Sequence, residues 1–169
     1  DEKWETEHHL QPHYVYLTKT AGIKVGVTRA TNIPFRWIDQ GAVEGLVIAE
    51  TPYRQAAGLI EVALKQHISD RTNWRKMLTY DIDQDTLEST SNLLMDKIPE
   101  ELKEYIVHRD KTIINFPVLS YPEKVSSLKL EKNPIIEEKL IGIKGQYLIF
   151  EQGKVINLRS HAGYLVSIE

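Results

Sequence analysis

Two short runs of β-forming residues, HYVYLTK and GIKVGVT, stand on either side of a turn at Thr20-Ala21-Gly22. They constrain the fold more than any other stretch. In the first, Tyr14, Val15, Tyr16, Leu17 and Thr18 follow one another. Ile23 to Thr28 reads as a second strand, and β-branched and aromatic runs bracketing a Gly-bearing turn predict a hairpin. Gly26 falls inside that second strand, and a strand glycine marks a place where something approaches the backbone closely.

The elements that follow are read from local signals. Asn32 is placed to cap a helix carrying Pro34 in its first turn, with Phe35, Arg36, Trp37 and Ile38 within it and Gly41 stopping it. Val43 to Glu50 reads as a third strand. A helix is expected from Thr51-Pro52 to about Ile68, with Ala56, Leu59, Ile60, Ala63, Leu64 and His67 along one face. Ser69 to Asn73 reads as a loop and Trp74 to Leu78 as a further helical turn.

Beyond Tyr80 the character changes. Asp81, Asp83 and Asp85 resemble the start of a calcium loop, but Thr86 and Asn92 occupy the positions that need Gly and Glu, so that reading is rejected. The acids instead suit the N-terminus of a helix over LESTSNLLMDKI. Pro99-Glu100-Glu101 starts another helix, through about His108. From Thr112 short β-type runs return (TIINFPVLSYP, KVSSLKL, EEKLIGIKG, QYLIF, KVINLR and GYLVSIE), with a hairpin turn expected at Glu151 to Lys154. The expected architecture is therefore α+β. A three-stranded antiparallel sheet flanked by helices spans 13–80, an acidic helical linker 81–110, and a small antiparallel barrel or sandwich 111–169. Residues 1–12 read as an arm, with His8, His9 and His13 incidental to it rather than metal ligands.

Charge restricts the partners. Residues 1–80 carry a net +1, residues 81–110 a net −6 and residues 111–169 a net +2, so a polyanion must be met by a local patch rather than a global field. Without cysteine there is neither disulfide stapling nor a thiolate metal site, and a reducing cytoplasm is the default compartment. No apolar run reaches the roughly 18 residues needed to span a bilayer, so no membrane partner is expected.

The order YVY (14–16), KVG (24–26), Arg36 on one helix, Glu61 on a later helix and Asn73 resembles the GIY-YIG endonuclease superfamily, down to the separation of twelve between Glu61 and Asn73. RWIDQGA and GIKGQYLIF…GKVINLR are also similar to a bacterial domain-of-unknown-function family, whose members usually carry a further Cys-rich N-terminal segment. With a chain that starts at Asp1 rather than Met, this gives the expectation of a piece of a longer protein. The nuclease resemblance implies that Tyr16 orients or deprotonates the attacking water and that Arg36 holds the phosphate. It implies that Glu61 binds one divalent cation, Mg²⁺ or Mn²⁺, and that Asn73 supports that carboxylate or the scissile strand. Lys24 stands where the second motif has its tyrosine, and Tyr14 where the first has glycine. Lys24 would serve as a phosphate contact or base.

Each of these residues also has a plainer reading. Tyr14 and Tyr16 suit any strand, Arg36 any helix surface and Glu61 the solvated edge of an amphipathic helix. Asn73 suits a helix cap before Trp74. Toward the C-terminus Lys144, Tyr147, Lys154, Arg159, His161 and Tyr164 interleave basic and aromatic groups as nucleic-acid-binding β domains do, with Tyr14 and Arg29 as further contacts, while ordinary mixed surface charge is the plainer reading of the same set. Three functions stand open: metal-dependent cleavage of a nucleic-acid phosphodiester, binding of nucleic acid without cleavage, and a structural role in a longer chain.

Overall fold

The structure is a computed structural model that describes residues 10–69 and 71–169, so most of the expected arm, His8 and His9 included, lies outside the described residues. The hairpin forms from β1 (His13–Lys19) and β2 (Ile23–Arg29), which pair antiparallel with Leu17 opposite Val25. β3 (Glu44–Thr51) pairs antiparallel with the other edge of β1. Val15 faces Ala49 and Tyr16 faces Val47, leaving Ile48 as an extra residue on β3.

The sheet has four strands rather than the three expected. β4 (Thr112–Ile113) pairs with Gly45 and Glu44, giving the order β2-β1-β3-β4. The reason is the outer edge of β3, whose backbone groups need partners. The returning chain supplies them through a bridge between Ala49 and Ile106, Val107 N–H to the Ile48 carbonyl at 3.1 Å and Ile114 N–H to the Val43 carbonyl at 2.9 Å. The helix expected to reach His108 is accordingly only a 3₁₀ segment, Glu100–Tyr105, and the backbone is extended beyond it.

Period-2 alternation gives the sheet two apolar faces. Val15, Leu17, Val25 and Ile48 cluster with α2 (Arg54–Lys65) and α4 (Leu87–Met95), which contribute Ala56, Ala57, Ile60, Leu64, Leu87 and Leu94. The buried stripe of α2 thus differs from the face expected: Leu59 is 53% exposed and His67 is exposed, while Ala57 is buried. α4 is capped by Thr86, whose Oγ1 accepts from Ser89 N–H at 3.1 Å. The first-turn carboxylate Glu88 is held below the usual range, chiefly by a backbone hydrogen bond and also by Lys111.

On the opposite face Tyr16, Trp37, Ala42 and Val47 form a second cluster. Tyr16 and Trp37 meet edge to face with centroids 5.7 Å apart. Both rings use glycines. Tyr16 lies across Gly26, where an added Cβ would stand 2.6 Å from its hydroxyl, and Trp37 lies against Gly45. The close approach anticipated at Gly26 is therefore made by the protein's own phenol. Trp37 sits on α1 (Phe35–Asp39), which begins after Pro34; Asn32 belongs to a preceding 3₁₀ turn and does not cap it. Gly41, at φ +72°, ends it as anticipated.

A second sheet contains β5 (Ser126–Ser127), β6 (Leu140–Lys144), β7 (Tyr147–Phe150) and β8 (Lys154–Asn157) in the order β5-β8-β7-β6. It is an open sheet rather than a barrel. β5 runs parallel to β8, against the antiparallel expectation, because it arrives from a long connection rather than a hairpin. The Glu151–Gly153 turn does join β7 to β8, with Gln152 and Gly153 both at positive φ. GYLVSIE, expected as a strand, is unpaired and exposed. α3 (Trp74–Leu78) packs Met77 and Leu78 against Ile149 and Val155 of this sheet.

Candidate functional site

A cleft of about 350 Å³ opens where α1, α3 and β2 meet the second sheet. Lys24 enters it from β2, Arg36, Asp39 and Gln40 from the segment of α1, and Thr72 and Trp74 from the approach to α3. Gln146 and Tyr147 enter from the β6–β7 turn, and Asn157 and Arg159 from the end of β8. Among the described residues the walls carry three cations, Lys24, Arg36 and Arg159, against one carboxylate, Asp39. Two low-lying contacts hold this geometry. Gly145, at φ +58°, backs onto α1, where an added Cβ would stand 3.0 Å from the Gly41 nitrogen and 3.1 Å from the Asp39 carbonyl. Lys144 donates to the Met77 carbonyl at 3.0 Å, joining β6 to α3.

The individual side chains differ in how far they are committed. Lys24 Nζ donates to Thr72 Oγ1 at 2.8 Å, which positions its ammonium at the cleft wall. Arg36 is exposed and makes no ion pair among the described residues. Trp74 and Tyr147 stack with planes 9° apart and centroids 5.8 Å apart, and the Arg75 guanidinium lies 4.2 Å over the Trp74 ring. Tyr16 is buried, and its hydroxyl accepts from Gln40 Nε2 at 3.0 Å, so it touches the cleft only through Gln40.

Glu61 and Asn73 do not line this cleft. Glu61 pairs with Lys65 one turn along α2, at 3.3 Å. Asn73 is the N-cap of α3, its Oδ1 accepting from Lys76 N–H at 3.2 Å. Among the described residues no group of three His, Asp or Glu side chains is arranged to hold a metal ion. The Glu61 carboxylate is already engaged by the Lys65 ammonium.

Of the C-terminal basic and aromatic set, Tyr147 and Arg159 reach the cleft and the others are engaged elsewhere. Lys144 is fully buried among Tyr80, Phe116 and Tyr121, its ammonium 4.7 Å from the Tyr121 centroid, so it offers no phosphate contact on the surface. Burial pushes its pKa down to about 8. Lys154 pairs with Glu138, and Tyr164 donates to Glu131 at 2.5 Å. His161 Nε2 accepts from Leu130 N–H at 3.1 Å, which assigns the ring proton to Nδ1, 2.8 Å from the Asn157 carbonyl. Tyr14 accepts from Arg109, which also pairs with Glu50 and lies over the Tyr14 ring. Arg29 is half-buried at the end of β2, opposite His13. Trp74, Thr72, Gln40 and Gln146 were not singled out from the sequence; the one local signal was an aromatic directly after the Asn73 cap.

The fold is thus a mixed α+β architecture with two four-stranded sheets and a basic, aromatic-walled cleft. The chain belongs to the family described as "Protein of unknown function (DUF2797)", whose model matches residues 1–166. No curated protein and no solved structure matches it.

Proposed function

We propose that this protein binds nucleic acid, with the phosphate backbone held in the cleft by Lys24, Arg36 and Arg159. The observation that carries the reading is the convergence of these three cations, distant in sequence, on a single concave wall where the described residues supply one carboxylate. Arg36 is suited to bidentate phosphate contact because it is exposed and without an ion pair among the described residues. The chain's net charge of −3 makes such a local patch necessary. The test is fluorescence anisotropy with labelled DNA and RNA over a salt series. Binding should weaken steeply with salt, and Arg36→Ala or Arg159→Ala should each weaken binding and lower the salt slope by about 1. Binding indifferent to salt, or unaltered in both variants, would overturn the reading.

Cleavage of the bound strand is the second reading, favoured by the link from the Tyr16 hydroxyl through Gln40 into the cleft that holds Arg36. It would require Glu61, outside the cleft on a helix packed against the opposite face of the sheet, to exchange Lys65 for Mg²⁺ or Mn²⁺ and to come within reach of the bound strand. Nicking abolished both by Glu61→Ala and by EDTA would establish it. Salt-sensitive binding with no nicking leaves the protein a binding module.

A further inference from the structure

We infer that the cleft takes an unpaired strand, with a base continuing the Trp74–Tyr147 stack, in preference to a duplex. This rests on the nucleic-acid reading above and adds the form of the ligand.

The two rings are close to parallel, 9° apart, and both line the cleft that gathers the cations. A parallel pair is the arrangement that a further π-face extends; the edge-to-face pair Tyr16 and Trp37, by contrast, is buried and closed. Each ring is carried by a regular element. Trp74 opens α3 directly after its Asn73 cap, and Tyr147 opens β7 after the Gly145 turn that backs onto α1. The Arg75 guanidinium already lies 4.2 Å over Trp74, a planar cation on an aromatic face.

A duplex keeps its base faces stacked inside and presents only edges in its grooves. An aromatic platform recessed in a cleft of about 350 Å³ reaches a base face only where the strand is unpaired. Base–aromatic stacking tolerates any base, since each has a π-face. Lys24, Arg36 and Arg159 then follow the backbone while the rings hold the base.

The experiment compares a labelled single-stranded oligonucleotide with its duplex, using wild type and Tyr147→Leu, which keeps an apolar side chain against Trp74 but removes the stack. Trp74→Leu is the companion variant, and far-UV circular dichroism confirms folding of each. Wild type should prefer the single strand by roughly tenfold or more, and Tyr147→Leu should lose most of that preference while its salt slope stays unchanged. Equal affinity for the two forms, or a preference that survives both variants, overturns the inference and leaves the phosphate-binding reading standing. Absence of binding to either form overturns both.

Discussion

The ammonium of Lys144 lies 3.0 Å from the carbonyl oxygen of Met77, a buried contact that ties the second sheet to α3. The aromatic rings of Tyr80, Phe116 and Tyr121 surround it, so the cation is compensated by one carbonyl dipole and by π-faces rather than by a carboxylate. Met77 and the β6–β7 turn both line the cleft, so this contact bears on its shape.

That environment makes stability depend on pH in a defined window. The pKa of Lys144 falls from the ordinary 10.5 to about 8 on folding, so the unfolded chain binds the extra proton between those values. Folding stability attributable to Lys144 should rise as pH rises from about 8 to 10.5 and stay flat below that window. Lys144→Met should remove this component. The measurement is the difference in urea stability between the two proteins across that range, made in a Tyr121→Phe background because burial raises the pKa of that neighbouring phenol and its titration opposes the trend.

Gly26→Ala should destabilise the fold by about 1–3 kcal/mol, because the new methyl would meet the Tyr16 phenol at 2.6 Å on a buried sheet face. Combining it with Tyr16→Ala should cost less than the two single substitutions summed, since the clash disappears with the ring. Chemical denaturation of the four proteins in the cycle decides this, and strict additivity would show that the two positions do not interact.

Asn73→Ala removes the N-cap of α3 and should cost about 1 kcal/mol of stability. Asn73→Asp or Asn73→Ser should restore it, because either supplies a capping oxygen. A loss that Ser fails to restore would point to a role beyond the cap. Thermal unfolding of the three variants distinguishes these outcomes.

Glu61→Ala should change stability by less than about 0.5 kcal/mol, the scale of a helix pair four residues apart such as Glu61 with Lys65. This variant therefore remains folded in a nicking assay, and a change in cleavage could not be attributed to unfolding. Equilibrium denaturation beside the assay checks the premise.

Local features were legible in the sequence where they depend on neighbours in the chain. The hairpin follows from two β-rich runs about a turn, and both strands form. The stop at Gly41 and the turn at Gly153 follow from residues that accept positive φ, and Asn73 caps the turn it precedes. The face of α2 was misjudged at Leu59 and His67, because several stripes of that helix are apolar and only the sheet beneath selects among them. The runs near the C-terminus were harder to read. TIINFPVLSYP yields two strand residues that join the first sheet, and GYLVSIE yields none, since strand formation needs an available edge as well as β propensity.

From the sequence alone, then, the hairpin, the stop at Gly41, the cap at Asn73 and the α+β class were legible, because turns, caps and period-2 runs act over a few residues. Tertiary structure alone decided that residues 106–114 would cover β3, that Lys144 would be buried, and that Lys24, Arg36, Trp74, Tyr147 and Arg159 would share one cleft. Those outcomes depend on which backbone edges and apolar faces need covering once the elements exist, and residues far apart in the chain supply the cover.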